Sequence, residues 1–269
     1  MKLLKIEMLK LKANYTLQGF FLVYLIMVPL AFVVIGNFDI KSILDTFTGG
    51  QDLGIDMKDI FKFPNNWEVL PYLASWFNII LSVGLIHFVS LEFSAGMYKK
   101  TFIDGLKRHD LFLGKLLMVL VFSAFCTVFL LLLIGGFGLA YFEVEGVDEF
   151  FNLKPLLLYF FQTICYFSFA LCLITLVKNS TTAILIFIGY YFLEWVLSIP
   201  MEKSLEIFLP FEAFSEIVPL PFIEKMQEGL GENEAIEIKS NTYLAPYISA
   251  VYLLIMQGGT YLLVKFRSL

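Results

Sequence analysis

Histidine and cysteine are scarce in this chain, with two of the first and three of the second among 269 residues. His87 and His109 fall on different elements, and Cys126, Cys165 and Cys172 all lie inside apolar runs with no C-x-x-C. A disulfide framework or a zinc site has no basis here. The cysteines read as small buried hydrophobes. H-E-x-x-H is absent, and "FSAG" at 93–96 lacks the preceding glycine of a nucleophile elbow. There is no G-x-x-x-x-G-K-[ST], and "LGKL" at 113–116 has the wrong context for one. The chain therefore has no P-loop with which to bind ATP. These absences predict a protein that is not itself an enzyme and binds no metal or cofactor.

Charge is also scarce. Only 16% of residues are charged, against 59% hydrophobic, and thirty are Phe. Soluble domains average about 45–50% apolar and about 25% charged. The excess predicts an all-α membrane protein forming one transmembrane domain over 1–269. A spanning helix needs about 20 mostly apolar residues. Six stretches qualify: 17–36, 71–91, 111–140, 155–177, 181–199 and 243–264. The third exceeds the need, which predicts tilt or a kink at Gly135, Gly136 and Gly138.

The sparse charge is unevenly placed. The connectors 1–16, 92–115, 178–180 and 265–269 hold twelve of the nineteen basic residues and only Glu7, Glu92, Asp104 and Asp110 among the acids. The connectors 37–70, 141–154 and 200–242 hold seven basic residues and nineteen acids. Basic connectors stay in the cytoplasm, so both termini are expected there. The first apolar run is about a full span and no A-x-A-like site follows it, which predicts retention rather than cleavage.

Residues 1–16, "MKLLKIEMLKLKANYT", read as a basic interfacial helix with an apolar stripe of Leu4, Met8, Leu11 and Tyr15. A plain extension of the first span is the alternative. The acidic, glycine-bearing connector 37–70 reads as a surface loop. In 200–242, Pro200, Pro210, Pro219 and Pro221 separate apolar islands too short to span. These predict an outer re-entrant loop that shields Phe208, Phe211, Phe214 and Phe222. A cap on the outer surface is the alternative.

Among the polar groups inside spans, Asn78, Gln162, Glu194 and Gln257 stand out. Such groups are functional candidates. Glu194 alone among them is ionisable, and it is a transport-path candidate beside a structural or interfacial role. His87 lies five residues before Glu92, poorly aligned with it on a helix, and reads as packed or interfacial.

The segment 92–115 carries a further pattern. Glu92-x-x-x-Gly96, a basic stretch, Arg108, and Gly114-Lys115 entering a span together resemble the permeases of the ABC-2 type. The basic N-terminal helix, six spans, short fourth-to-fifth connector and long outer loop resemble them too. Met97 stands where that family often has a small hydroxyl, and "GLKRHD" lacks its frequent proline. The short chain is similar to permeases of lantibiotic and other peptide-antibiotic export and immunity.

The resemblance implies the pathway-forming subunit of an ATP-binding cassette exporter in the bacterial inner (plasma) membrane. It implies a second permease, like or unlike, as partner, and a separate ATPase subunit that holds ATP and magnesium. The coupling helix between spans two and three would dock on that ATPase. Glu92, Gly96, Phe102, Leu106, Lys107 and Arg108 are the expected coupling residues. Beside the bilayer and these subunits no nucleic-acid partner is expected. A stand-alone secondary transporter or channel is the second reading. A membrane-embedded enzyme ranks third, for want of a catalytic constellation.

Overall fold

The computed structural model describes residues 10, 14–37, 61, 63–96, 108–140, 152–201, 203–219, 221 and 232–266. Every regular element among them is a helix. In chain order these are α1 (Tyr15–Asn37), α2 (Asn66–Ser75), α3 (Asn78–Ser94), α4 (Arg108–Ala140), α5 (Lys154–Val177), α6 (Ser180–Ser198), α7 (Lys203–Glu206), α8 (Pro210–Ser215) and α9 (Glu232–Phe266). Among the described residues, five helices are long and apolar enough to cross a membrane: α1, α4, α5, α6 and the 243–266 part of α9. The pair α2 and α3, bent by 45° at a short break, makes a sixth if counted as one span.

The expected second span at 71–91 is thus a broken one, and it begins earlier, at Asn66. The turn tightens at the break. Trp76 N–H donates to Leu73 O and Phe77 N–H to Ala74 O, both three residues back, before α3 restarts at Asn78. Bonds of this kind end a helix and redirect it.

Other ends follow local chemistry. Asn14 Oδ1 accepts from Leu17 N–H at the start of α1. Lys178, in the left-handed region at φ 62°, closes α5, and Asn179 Oδ1 caps α6 through Thr182 N–H. Two residues therefore suffice to reverse the chain.

The long α4 runs unbroken through Gly135, Gly136 and Gly138. Its glycine has another use. A Cβ on Gly138 would lie 2.0 Å from the Phe63 ring. The glycine is a socket for that ring and not a hinge.

The hub is α5, which packs against α2, α3, α4, α6, α8 and α9. Its buried face carries Tyr159, Gln162, Thr163, Phe167, Ala170 and Ile174. By contrast α6 exposes Leu185, Phe192, Leu193, Val196 and other large apolar side chains. An apolar residue left outside by its own fold is ordinary for a helix whose solvent is lipid.

Contacts sort the connectors to two ends. The end of α3, the start of α4 and the end of α9 meet at one, where Arg108 donates to Lys265 O at 2.5 Å. His87 on α3 lies 3.4 Å from Ser180 at the start of α6, half-buried and packed. Phe63 and the helices α7 and α8 belong to the opposite end.

Candidate functional site

Three places bring polar chemistry together. The first is at the basic end. Glu92, in the last turn of α3, is buried, and its Oε2 is 2.6 Å from Lys115 Nζ, which is buried as well. Lys10 Nζ reaches Oε1 at 3.4 Å. The Lys115 ammonium also stands 5.8 Å from the centroid of the Phe88 ring. Gly96 then ends the helix at φ 63°, a conformation open to glycine and strained for other residues. Glu92 and Gly96 thus fix where the connector leaves the bundle, and Arg108 ties its return to α9. Of the expected coupling residues, Phe102, Leu106 and Lys107 lie outside the described residues. So does the proposed N-terminal helix, apart from Lys10 and 14–16.

The second place is a string of buried polar groups beside the α2–α3 break. The Tyr24 and Tyr159 hydroxyls are 2.8 Å apart, and Tyr159 donates to Asn78 Oδ1 at 3.3 Å. Asn78 Nδ2 donates to Gln162 Oε1 at 3.4 Å, and Gln162 Nε2 to Phe214 O at 2.8 Å. Four elements, α1, α3, α5 and α8, are joined through side chains buried in apolar surroundings. Each group satisfies another, which removes the cost of placing them there.

The third place is the cradle of α8. Glu194 Oε2 accepts from Phe211 N–H at 2.8 Å and Glu212 N–H at 3.3 Å. Gln162 holds the far end of α8, while Ser249 of α9 donates to Ala213 O at 3.0 Å. Tyr252 donates to Phe208 O. Phe211 fills an aromatic socket, with centroids 4.8 Å from Phe169, 5.3 Å from Phe187 and 5.7 Å from Tyr191. Since Gln162 lies eight residues into α5, α8 sits about 12 Å inside the helix end at 1.5 Å per residue. Phe211 and Phe214 are buried, Phe208 is exposed, and Phe222 lies outside the described residues.

Of the four polar residues singled out within spans, the structure joins Asn78 to Gln162, gives Glu194 to α8, and pairs Gln257 Nε2 with Ser168 Oγ at 2.6 Å. Sequence reasoning missed Asn66, buried and donating to Ile134 O at 3.1 Å. It assigned that residue to a surface connector. The buried state of Lys115 was missed too, since a lysine at a span end ordinarily reaches for water. Among the described residues, no three His, Cys, Asp or Glu converge to hold a metal.

Between α2, α5, α6 and α8 lies a cavity of about 560 Å³. Glu194, Glu212 and Glu216 line it, with Tyr72, Trp76, Tyr166 and Trp195 among its walls. The Glu212 carboxyl is raised above its ordinary range, first by burial and then by the charge of Glu206.

These helices, by length and hydropathy, make the chain a multi-pass helical membrane protein. No family model, no curated protein and no solved structure matches it.

Proposed function

We propose that this chain is the permease subunit of an ATP-binding cassette exporter of the ABC-2 type. It has six spans, with both termini in the cytoplasm. It pairs with a second permease and is driven by a separate ATPase docked on the connector between spans two and three, at 97–110. The observation that carries the reading is the root of that connector. A buried Glu92–Lys115 pair, a left-handed Gly96 and an Arg108–Lys265 bond hold both its ends to the bundle. A connector fixed at both ends transmits force to α3, α4 and α9. Within it, Phe102 and Leu106 are four residues apart in the sequence, a spacing that would put both on one face of a helix as an apolar knob, with the charges of Lys107 and Arg108 to steer docking. The short helix α8, with Phe211 and Phe214 buried, then narrows the pathway at its outer end.

A stand-alone secondary transporter or channel is the second reading, favoured by the buried polar string from Tyr24 to Gln162.

One experiment separates the two. The chain is purified with the products of its neighbouring reading frames. A stoichiometric P-loop ATPase is expected to follow it. In a Phe102→Ala/Leu106→Ala/Arg108→Ala variant the ATPase should be lost with membrane insertion unchanged. Full retention of the ATPase in the triple variant places docking elsewhere. Transport without any ATPase establishes the second reading.

A further inference from the structure

We propose that the cavity between α2, α5, α6 and α8 is a binding site for an organic cation. The ligand would have an ammonium or guanidinium head on a small apolar body. Three features point to this chemistry together. The first is size: about 560 Å³ lies within the range of about 300–1,000 Å³ typical of small-molecule sites.

The second is the sign of its charge. Glu194, Glu212 and Glu216 line the cavity, and no Lys, Arg or His does so among the described residues. Glu194 is fully buried, and only half of its carboxylate is engaged. Oε2 takes the two N–H groups of α8, while Oε1 has no hydrogen-bond partner among the described residues. The Tyr190 hydroxyl stands near the same carboxylate. A buried carboxylate oxygen with only a tyrosine hydroxyl beside it is costly. A cation in the cavity would offset that cost.

The third is the wall. Tyr72, Trp76, Tyr166, Tyr191 and Trp195 present aromatic surface to the same space. Aromatic faces attract cations, tryptophan most strongly, and tolerate the alkyl groups around a substituted ammonium. Carboxylates with an aromatic wall select a positive, partly apolar molecule over an anion or a hydrated metal ion. Anions are repelled. A small inorganic cation would find too few oxygens converging on one point.

That the cavity opens on the outer face rests on the exporter reading; that it binds a cation does not.

The chain carries its own reporter, because two of its three tryptophans, Trp76 and Trp195, line the cavity. The purified full-length chain in nanodiscs is titrated with benzyltrimethylammonium while tryptophan emission is followed. Neopentylbenzene, the uncharged isostere, is the comparator. A saturable change with the cation and a weaker one with the isostere are expected. Glu212→Gln and Glu216→Gln should each weaken binding by about tenfold through loss of a charge near the cation. Glu212→Asp should restore most of it, and Trp195→Phe should shrink the signal.

Equal response to the isostere would overturn the proposal, as would unchanged affinity in the Glu216→Gln variant or no saturable change at all. Should Glu212→Gln fail to fold, Glu216→Gln and Trp195→Phe still decide. Because the titration needs no ATPase, its failure and failure of the exporter reading are separate results.

Discussion

Lys115 is the residue whose environment departs furthest from its type. A lysine this buried is stable only while paired, and Glu92 at 2.6 Å provides the pair. Removing one partner of a buried pair typically costs about 3–5 kcal/mol, whereas removing both is often near neutral. Lys115→Met or Glu92→Gln alone should therefore lower the melting temperature in detergent, and the double variant should recover most of the loss. Additive losses would show that the pair is not a unit. Glu194 gives the second residue-scale test. Glu194→Leu leaves two N–H groups of α8 without their acceptor, at about 1–3 kcal/mol each. Glu194→Gln keeps a carbonyl oxygen there and should be milder. A thermal unfolding series of the two variants checks the order. Glu194 was recognisable in the sequence because an acid inside an apolar run is conspicuous. Its partner was not, because backbone N–H groups leave no mark in the letters of a sequence.

Helices were legible where apolarity alone marks them. The runs at 155–177 and 181–199 became α5 and α6 within a residue at each end. Nothing in "WEVLPYLASWFNII" marks a break at Trp76 and Phe77, because neither residue is a breaker. The bend depends on a change of hydrogen-bond spacing in the last turn of α2. The far start of α9, at Glu232, was hidden for the opposite reason. Its first residues are charged, and hydropathy sees a helix only while it is in the membrane. Gly138 shows how a correct suspicion finds the wrong cause. Glycines in a long span suggest a kink, but this one admits the Phe63 ring. Gly138→Ala should strain that contact and cost about 1–3 kcal/mol, as overpacking does. Phe63→Leu in the same chain should relieve part of the loss, which thermal melts of the single and double variants would reveal. A melt unchanged in Gly138→Ala would mean that the ring moves aside freely. For α8 the anchor is Phe211, and Phe211→Ala should cost about 3–5 kcal/mol, read as early loss of the α8 contacts in hydrogen exchange.

At the scale of the molecule, the charge count and the fold agree on which connectors share an end. The ends of α3 and α9 and the start of α4 are bonded to one another. The side of the membrane on which that end lies is the expectation to test. In a chain whose three native cysteines have been replaced, Ser42→Cys and Glu232→Cys should react with an impermeant maleimide in intact cells, and Lys107→Cys should not. Labelling at Lys107→Cys alone would reverse the orientation. The apolar faces of α1, α6 and α9 leave ample surface for lipid.

The cradle of α8 also imposes an order on synthesis. Glu194 leaves the ribosome 17 residues before Phe211, whose N–H it will accept. At about 5–20 residues per second, a bare carboxylate waits roughly 1–3 s for its helix. Even then α8 has only part of its support, since Ser249 and Tyr252 come from the last helix to be made. A nascent chain stopped before residue 243 holds α8 by Glu194 and Gln162 but lacks its ties to the last helix. It offers a quality-control protease an unfinished membrane protein, and the final helix completes the cradle.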